Sequence, residues 1–545
     1  PYRLVRDIWG IGFQTADQIA RNLGIAKDSE LRARAGVEYS LQKLTEDGHC
    51  AYPRPELLQM AAEMLEIPES IVDEAIDFEV KRGRLSLDED EAGRSLVYLA
   101  SLDGAERQLA KNLVELSRGS HPVGIDDLDA AVEWGQGEMG LSLAEAQRSA
   151  LLRALQSKVI VITGGPGVGK TTLINALVKI FSAKASVVVL CAPTGRAAKR
   201  MSETSGTEAK TIHRLLEFEP RTGRFKRDKS NPLRGDVFVL DEASMLDVVL
   251  AHRVIRAIPP HAALILVGDR DQLPSVGPGA VLRDIISSGS VPVVVLKEIF
   301  RQAAQSAIVA NAHRVNEGKK PRWPQGRLAR PEDSDFYFIK AEEPAEGADL
   351  ICHLVGERIP RRFSFDPMSD IQILCPMQRG ELGARNLNAR LQECLNPGLD
   401  GVKRFATVFR PGDRVMQIVN DYEKDVFNGD IGRVESIDQE EQLVDVLYQG
   451  RSVQYSYGEL DELTLAYAVT IHKSQGSEFP CVIIPLHTQH YVLLQRNLLY
   501  TAITRGRKLV ILLGTVKALA IATQRGEAHQ RVTTLKKRLE DELST

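Results

Sequence analysis

Residues Gly164-Gly165-Pro166-Gly167-Val168-Gly169-Lys170-Thr171 have the types and spacing to hold a polyphosphate. They follow the pattern G-x-x-x-x-G-K-[ST]. Glycines let backbone N–H groups close around phosphate oxygens, and a helix N-terminus behind them adds its positive dipole end. In such a loop Lys170 reaches the β- and γ-phosphates and Thr171 holds Mg²⁺, with Thr172 next in the nucleotide-binding set. About 70 residues on, the apolar run 237–240 ends in Asp241-Glu242. Asp241 can hold the magnesium through its shell, and Glu242 can polarise an attacking water. A phosphotransferase has to exclude that water, so the acidic pair favours hydrolysis. A further apolar run ends at Gly268-Asp269, and Gln272 just beyond can contact a γ-phosphate. Arg301 and Arg505 each follow the end of an apolar or helical segment. Either can serve as an arginine finger that neutralises charge in the transition state.

These residues need a scaffold that brings strand ends together. Short, fully apolar runs at 158–163, 186–191, 236–240, 263–267 and 292–296 read as strands of a parallel sheet covered on both faces. A second set, at 371–375, 481–485 and 508–513, reads as another such sheet. Between them, 402–463 alternates polar and apolar residues, with turns at Pro411-Gly412, Asn428-Gly429 and Gln449-Gly450. That is an inserted antiparallel β unit. Residues 1–140 read as mainly helical, as in the spacing of Leu57, Leu58, Ala61, Ala62 and Leu65. The stretches 117–124 and 135–140 read as linker.

The chain has 545 residues, which suggests three or four domains. It holds 69 Lys and Arg against 73 Asp and Glu, a net charge of −4 that alone argues against a nucleic-acid partner. The charge is uneven, however. Residues 56–91 carry 12 acids and 3 bases, which reads as a solvated face and leaves +5 for the remainder. Residues 221–234 carry 6 bases and 1 acid around Thr222-Gly223, with Phe218 and Phe225 flanking, and suggest a β-hairpin over about 216–236. No apolar run approaches the roughly 18 residues a membrane span needs. The six cysteines are scattered with no CxxC pair, which fits a reducing cytoplasm. The first residue is Pro1 rather than Met, as in a truncated or processed chain.

Taken in chain order the motifs form a recognisable set. Gln147 precedes the phosphate loop. Ala192-Pro193-Thr194-Gly195-Arg196-Ala197-Ala198, Thr211-Ile212-His213-Arg214-Leu215, Asp241-Glu242-Ala243-Ser244, Gly268 to Pro274 and Phe300-Arg301-Gln302 follow it. Last come Ala468-Val469-Thr470-Ile471-His472-Lys473-Ser474-Gln475-Gly476-Ser477-Glu478 and Tyr500-Thr501-Ala502-Ile503-Thr504-Arg505. Over about 140–515 the chain resembles a superfamily 1 helicase of the RecD-like branch. The resemblance implies an α/β fold with two RecA-like P-loop NTPase domains, an inserted SH3-like barrel, a β-hairpin insertion and a mainly helical N-terminal domain. The expected limits are 1–135 for the N-terminal domain and 136–345 for the first motor domain. The second motor domain is expected at 346–401 and 464–545, with the barrel at 402–463.

The resemblance also implies roles. ATP with Mg²⁺ would sit between the motor domains, with Gln147 reading the adenine and Glu478 touching the ribose. Arg301 and Arg505 would face the γ-phosphate. Pro193, Thr194, Thr211, His213, Thr470 and His472 would line single-stranded DNA, and Arg224 and Lys226 on the hairpin would meet a single-strand/duplex junction. The activity implied is an ATP-dependent helicase moving 5′ to 3′. At the start, Ile8-Trp9-Gly10-Ile11-Gly12-Phe13 resembles a helix-hairpin-helix turn, which favours the long, stand-alone RecD subgroup and a monomer without nuclease partners. Three rival readings are a DNA-binding scaffold with a switch-type ATPase, a translocase that does not separate strands, and a P-loop kinase. The intact Lys170, Glu242 and Arg505 oppose the first, and the motif at 470–478 opposes the last.

Overall fold

Fully apolar runs have no polar face to turn toward water, so they are stable only where helices cover both sides of a sheet. The computed structural model, which describes residues 1–4, 11–220, 222–298, 305–324, 334–398, 401–526 and 530–544, contains two such sheets. The first has six parallel strands in the order Val293–Leu296, Val159–Gly164, Ala263–Gly268, Val237–Leu240, Val188–Ala192 and Ala209–Thr211. Helix Lys170–Ala183 packs on one face, and helices Val248–Ala257 and Val281–Ser288 pack on the other. Parallel pairing puts every strand's C-terminal end on one edge, where ligands of open α/β sheets bind. Gly164, Ala192, Leu240 and Gly268 all end there.

The second sheet is also parallel, ordered Phe336–Lys340, Gly506–Gly514, Phe479–Leu486, Ile371–Cys375 and Ala468–Thr470. Strand Phe336–Lys340 pairs at its edge, so the expected limit of the first motor domain at 345 is too late. Helix Ala307–Asn316 belongs on this side too, since Ile308, Ala312 and Val315 share a core with Leu498, Leu499 and Ala502.

The inserted unit is a five-stranded antiparallel sheet built from Arg414–Gln417, Ile431–Asp438, Leu443–Tyr448, Arg451–Ser456 and Leu463–Leu465. Buried polar groups seat it on the second sheet. Arg414 donates to the Ile371 carbonyl and to Gln372 Oε1, both at 2.8 Å, and Asp413 accepts from Tyr467 Oη at 2.8 Å. The hairpin in the first motor domain pairs Phe218 with Phe225 and Glu219 with Arg224.

The N-terminal region is helical but also contains a small sheet, Ala51–Pro53, Ser95–Leu99 and Leu85–Glu89, that helical periodicity did not reveal. The expected linker at 135–140 is instead the end of helix Leu128–Met139, capped by Asp127. Gly135 is there for proximity, because a Cβ on it would lie 2.9 Å from Ile180 Cδ1 of the helix behind the phosphate loop. Helix Leu535–Ser544, expected in the second motor domain, packs instead with helix Ala100–Ser117 and the first motor domain. An amphipathic helix shows which face is buried but not what buries it. Of the resembled helix-hairpin-helix turn, Ile8, Trp9 and Gly10 lie outside the described residues, and Gly12 precedes helix Phe13–Asn22. No helix among the described residues is long and apolar enough to cross a membrane.

Candidate nucleotide cleft and nucleic-acid interface

Strand Val159–Gly164 is buried throughout and delivers the chain into the glycine loop. Gly167 and Gly169 adopt φ of 73° and 79°, a left-handed conformation that side chains resist and that turns backbone N–H groups inward. Lys170 opens the helix and donates from Nζ to the carbonyls of Gly164 (2.6 Å) and Gly165 (2.9 Å), so the ammonium is held over the loop it serves. Thr171 and Thr172 are half-buried in the same turn, and Pro166 and Val168 complete the loop. Gln147 is 2% exposed. Its Nε2 donates to the Val168 carbonyl and its Oε1 accepts from Ala144 N, both at 3.1 Å. The expected adenine reader thus braces the loop with its amide.

Asp241 and Glu242 stand at the end of the next strand but one. Burial pushes the Asp241 carboxyl up to about 6, helped by the Glu242 charge and opposed by Lys170 and Arg200. Glu242 has φ of 53°, a left-handed backbone at a non-glycine position. Burial also raises Asp269, against the charge of Lys170 and a hydrogen bond from Tyr500. Gln272 Nε2 donates to Asp269 Oδ2 at 3.3 Å. Lys170, Asp241, Glu242, Asp269 and Gln272 therefore share one polar edge.

The second motor domain grips that edge directly. Tyr500 Oη donates to Asp269 Oδ2 at 2.7 Å, and Thr501 Oγ1 accepts from Leu273 N at 2.8 Å. Gln475 Nε2 donates to the Leu273 carbonyl at 3.1 Å. Arg196 Nη1 donates to Ser477 Oγ at 2.6 Å, and Arg200 pairs with Glu478 at 2.6 Å. Glu478, expected at a ribose, is thus part of an ion pair between the two domains. Arg505 is 3% exposed and donates only to neutral acceptors: the carbonyls of Thr501 (3.3 Å) and Ser477 (3.2 Å), and Thr504 Oγ1 (3.3 Å). No carboxylate among the described residues pairs with it. Arg301 lies outside the described residues.

The expected nucleic-acid contacts fall in two places. Thr194 and Thr211 cap short helices through their hydroxyls, and Pro193 and His213 lie beside them. The His213 ring packs against Phe218 and Phe225 of the hairpin, at 5.7 and 5.6 Å between centroids. Phe218 continues to Tyr422, and Tyr422 to Phe427, on the barrel side. A cavity of about 380 Å³ between motor and barrel is lined by Thr211, Arg196, Lys199, Lys210, Arg214 and Arg451, together with Glu208, Asp425 and Asp430. Thr470 is buried at 8%, its hydroxyl accepting from Lys473 N. His472 shares a larger cavity, about 1040 Å³, with Gln272 and the N-terminal region. Arg224 and Lys226 sit on the hairpin and line neither cavity.

Four family models match in chain order. They are the ATP-dependent RecD2 DNA helicase HHH domain over 1–51, an AAA domain over 147–278, the ATP-dependent RecD-like DNA helicase SH3 domain over 387–448, and the UvrD-like helicase C-terminal domain over 465–513. The ATP-dependent RecD2 DNA helicase of Deinococcus radiodurans is 35% identical over 542 residues, covering 98% of this chain and 72% of that protein. The chain belongs to the RecD2 family of ATP-dependent DNA helicases. The RecBCD enzyme subunit RecD of Mycobacterium tuberculosis is 31% identical, covering 79% of this chain and 78% of that one. The Pif1 helicase from Bacteroides, solved with ADP-AlF3 and single-stranded DNA, aligns at 19% identity and TM-score 0.41 over 68% of this chain and 92% of that one.

In this RecD2-family chain, sequence reading assigned no role to Arg196, Arg200, Asp269, Tyr500 or His313. Asp269 and Tyr500 lie inside quoted motifs, but only their contact across the cleft gives them a task. Arg200 carried no separate signal, being one base of a helix surface.

Proposed function

We propose that this chain hydrolyses ATP in response to single-stranded DNA, moves 5′ to 3′ along it, and separates duplex ahead of it as a monomer. Arg505 carries the reading. A buried guanidinium with only neutral acceptors among the described residues lacks an anion, and a nucleotide on the phosphate loop would supply one. A nucleotide between the domains would complete both halves, so binding favours a closed cleft and loss of the γ-phosphate relaxes it. Glu242 would polarise the water, Lys170 and Arg505 would neutralise the transferred charge, and Gln272 would report on the γ-phosphate. Arg301 is proposed for the same charge from the sequence pattern alone. Gln147 and the Arg200–Glu478 pair would frame the base and sugar side.

The residues present suit Mg²⁺. Asp241 and Glu242 set two adjacent carboxyls at the strand end beside the phosphate loop, a hard oxygen donor set of the kind Mg²⁺ takes. Among the described residues no cluster of three or more His, Cys, Asp or Glu could hold a metal alone. Mg²⁺ ordinarily takes one or two protein ligands and completes its shell with phosphate and water. Thr171 and Asp241 would hold it, and when bound it neutralises phosphate charge.

Two grips on the single strand, Pro193, Thr194, Thr211 and His213 on one domain and Thr470 and His472 on the other, would alternate as the cleft cycles. The direction rests on family resemblance. Strand displacement on duplexes with a 5′ or a 3′ tail tests it. Only the 5′-tailed substrate should unwind, and Lys170→Ala should abolish both unwinding and DNA-stimulated phosphate release. Unwinding confined to the 3′-tailed duplex refutes the polarity. Phosphate release indifferent to DNA refutes the motor.

A further inference from the structure

Among the described residues, one buried ring nitrogen beside the phosphate loop has no hydrogen-bond partner. His313 lies on helix Ala307–Asn316, whose other face is locked into the second motor domain through Ile308, Ala312 and Val315. That anchoring carries the imidazole across to the first domain's loop. A Cβ built on Gly165 would sit 3.0 Å from His313 Cε1 and 3.6 Å from its Nε2, with Tyr500 Oη 3.1 Å away. Two side chains from the second domain, His313 and Tyr500, therefore bracket the same stretch of phosphate-loop backbone. Gly165 lacks a side chain where they must fit.

The two are not alike in their bonding. Tyr500 donates to Asp269, and Lys170 donates to the Gly164 and Gly165 carbonyls. His313 Nε2 is buried and has no hydrogen-bond partner among the described residues. A buried polar atom without a partner is uncommon enough to call for an explanation. An imidazole N–H is a donor, and what a phosphate loop holds is a set of acceptor oxygens.

We propose that His313 Nε2 donates a hydrogen bond to the terminal phosphate of a bound nucleoside triphosphate, so that the second motor domain reads occupancy of the loop through His313 as well as through an arginine. The inference rests on the ATP-driven motor reading above. It makes His313 a ligand-contacting residue that distinguishes triphosphate from diphosphate.

The test compares His313→Ala, His313→Phe and His313→Gln with the wild-type chain. The probes are fluorescent ADP and a fluorescent non-hydrolysable ATP analogue, and steady-state hydrolysis is measured with single-stranded DNA present. Losing one hydrogen bond to a charged phosphate should weaken the triphosphate analogue about tenfold. ADP affinity should stay within about twofold, and kcat should fall. Phe fills the space without a donor and should behave as Ala does. Gln keeps an N–H donor and should recover part of the loss. Melting profiles identify any variant that fails to fold, and the Phe/Gln comparison then decides. Equal loss for both nucleotides, no loss for either, or Phe matching wild type would overturn the assignment. If wild type itself shows no DNA-stimulated hydrolysis, the motor reading fails first, and that result is distinct from a normal wild type with an indifferent His313.

Discussion

Asp241 and Arg505 carry opposite electrostatic burdens, and each makes a separate prediction. Asp241 has its carboxyl pushed up to about 6 by burial and by Glu242. Its charged form is therefore present above that pH and lost below it. If the carboxylate helps to hold Mg²⁺, kcat/KM for ATP should fall as pH drops through about 6. Proton and cation compete for the same oxygens, so raising Mg²⁺ should move the midpoint to lower pH. Rate profiles at two Mg²⁺ concentrations check this, and a midpoint that ignores Mg²⁺ removes Asp241 from the metal set. Arg505 makes the second prediction. Its planar fork reaches two carbonyls and one hydroxyl at once, which an ammonium cannot reproduce. Arg505→Lys should keep nucleotide binding within several-fold and lower kcat on the order of 10³-fold, as expected for an arginine finger. A kcat within threefold of wild type would place the finger elsewhere. Such roles were unevenly legible in the sequence. The glycine loop and the Asp-Glu pair declare themselves because their chemistry depends on adjacent residues. Arg200, Tyr500 and His313 act through juxtaposition across a cleft, which no local spacing encodes.

The hairpin at Phe218–Glu219 and Arg224–Phe225 is too short to be stable alone, because an isolated two-stranded hairpin is marginal in water. Its aromatic pair, 5.1 Å apart, leans on His213 beneath and on Tyr422 of the barrel side. Arg227–Glu217 at 2.6 Å and Arg214–Asp425 at 3.2 Å add exposed ion pairs that contribute little. The aromatic chain therefore sets the hairpin's position. If the hairpin is the wedge at a duplex junction, Phe225→Ala should lower strand displacement several-fold and leave DNA-stimulated ATP hydrolysis nearly unchanged. Measuring both rates on one preparation separates wedge from motor, and a parallel loss in both would make Phe225 part of the single-strand track. The hairpin was legible because its charge and flanking aromatics are local. The apolar strands of both sheets were legible because burial on two faces demands unbroken apolar runs. The strand Ala209–Thr211 was missed because it is only three residues long and two of the three are polar. Gly135 misled because a glycine chosen for helix–helix proximity looks like a linker glycine.

After its last strand the chain leaves the second motor domain and returns to the first. Arg531 donates to the carbonyls of Ser275 (2.6 Å), Gly277 (2.8 Å) and Gly279 (2.7 Å), on the loop that begins at Gln272. Val532 accepts from Cys50 N at 2.9 Å, and Arg538 pairs with Asp88, Asp103 and Glu106. Part of the acidic window 56–91 is thus spent inside the molecule rather than on a solvated face. This crossing concentrates buried acids. Burial and the charge of Glu106 push the Asp284 carboxyl up to about 7, with Arg283 and Lys536 opposing, and Thr533 Oγ1 donates to it at 3.1 Å. The folded state holds this proton more tightly than the unfolded chain does. Its contribution is therefore fully favourable below about pH 4 and is lost as pH rises through about 7. Asp284→Asn keeps the shape and an acceptor for Thr533 while removing the charge. The melting temperature of Asp284→Asn should match wild type near pH 5 and exceed it near pH 8, where wild type carries the buried Asp284 carboxylate. Differential scanning at both pH values reads the crossing directly. An equal shift at both would trace the effect to packing, and a lower melting temperature at pH 8 would mean that the ionised Asp284 is stabilised where it sits.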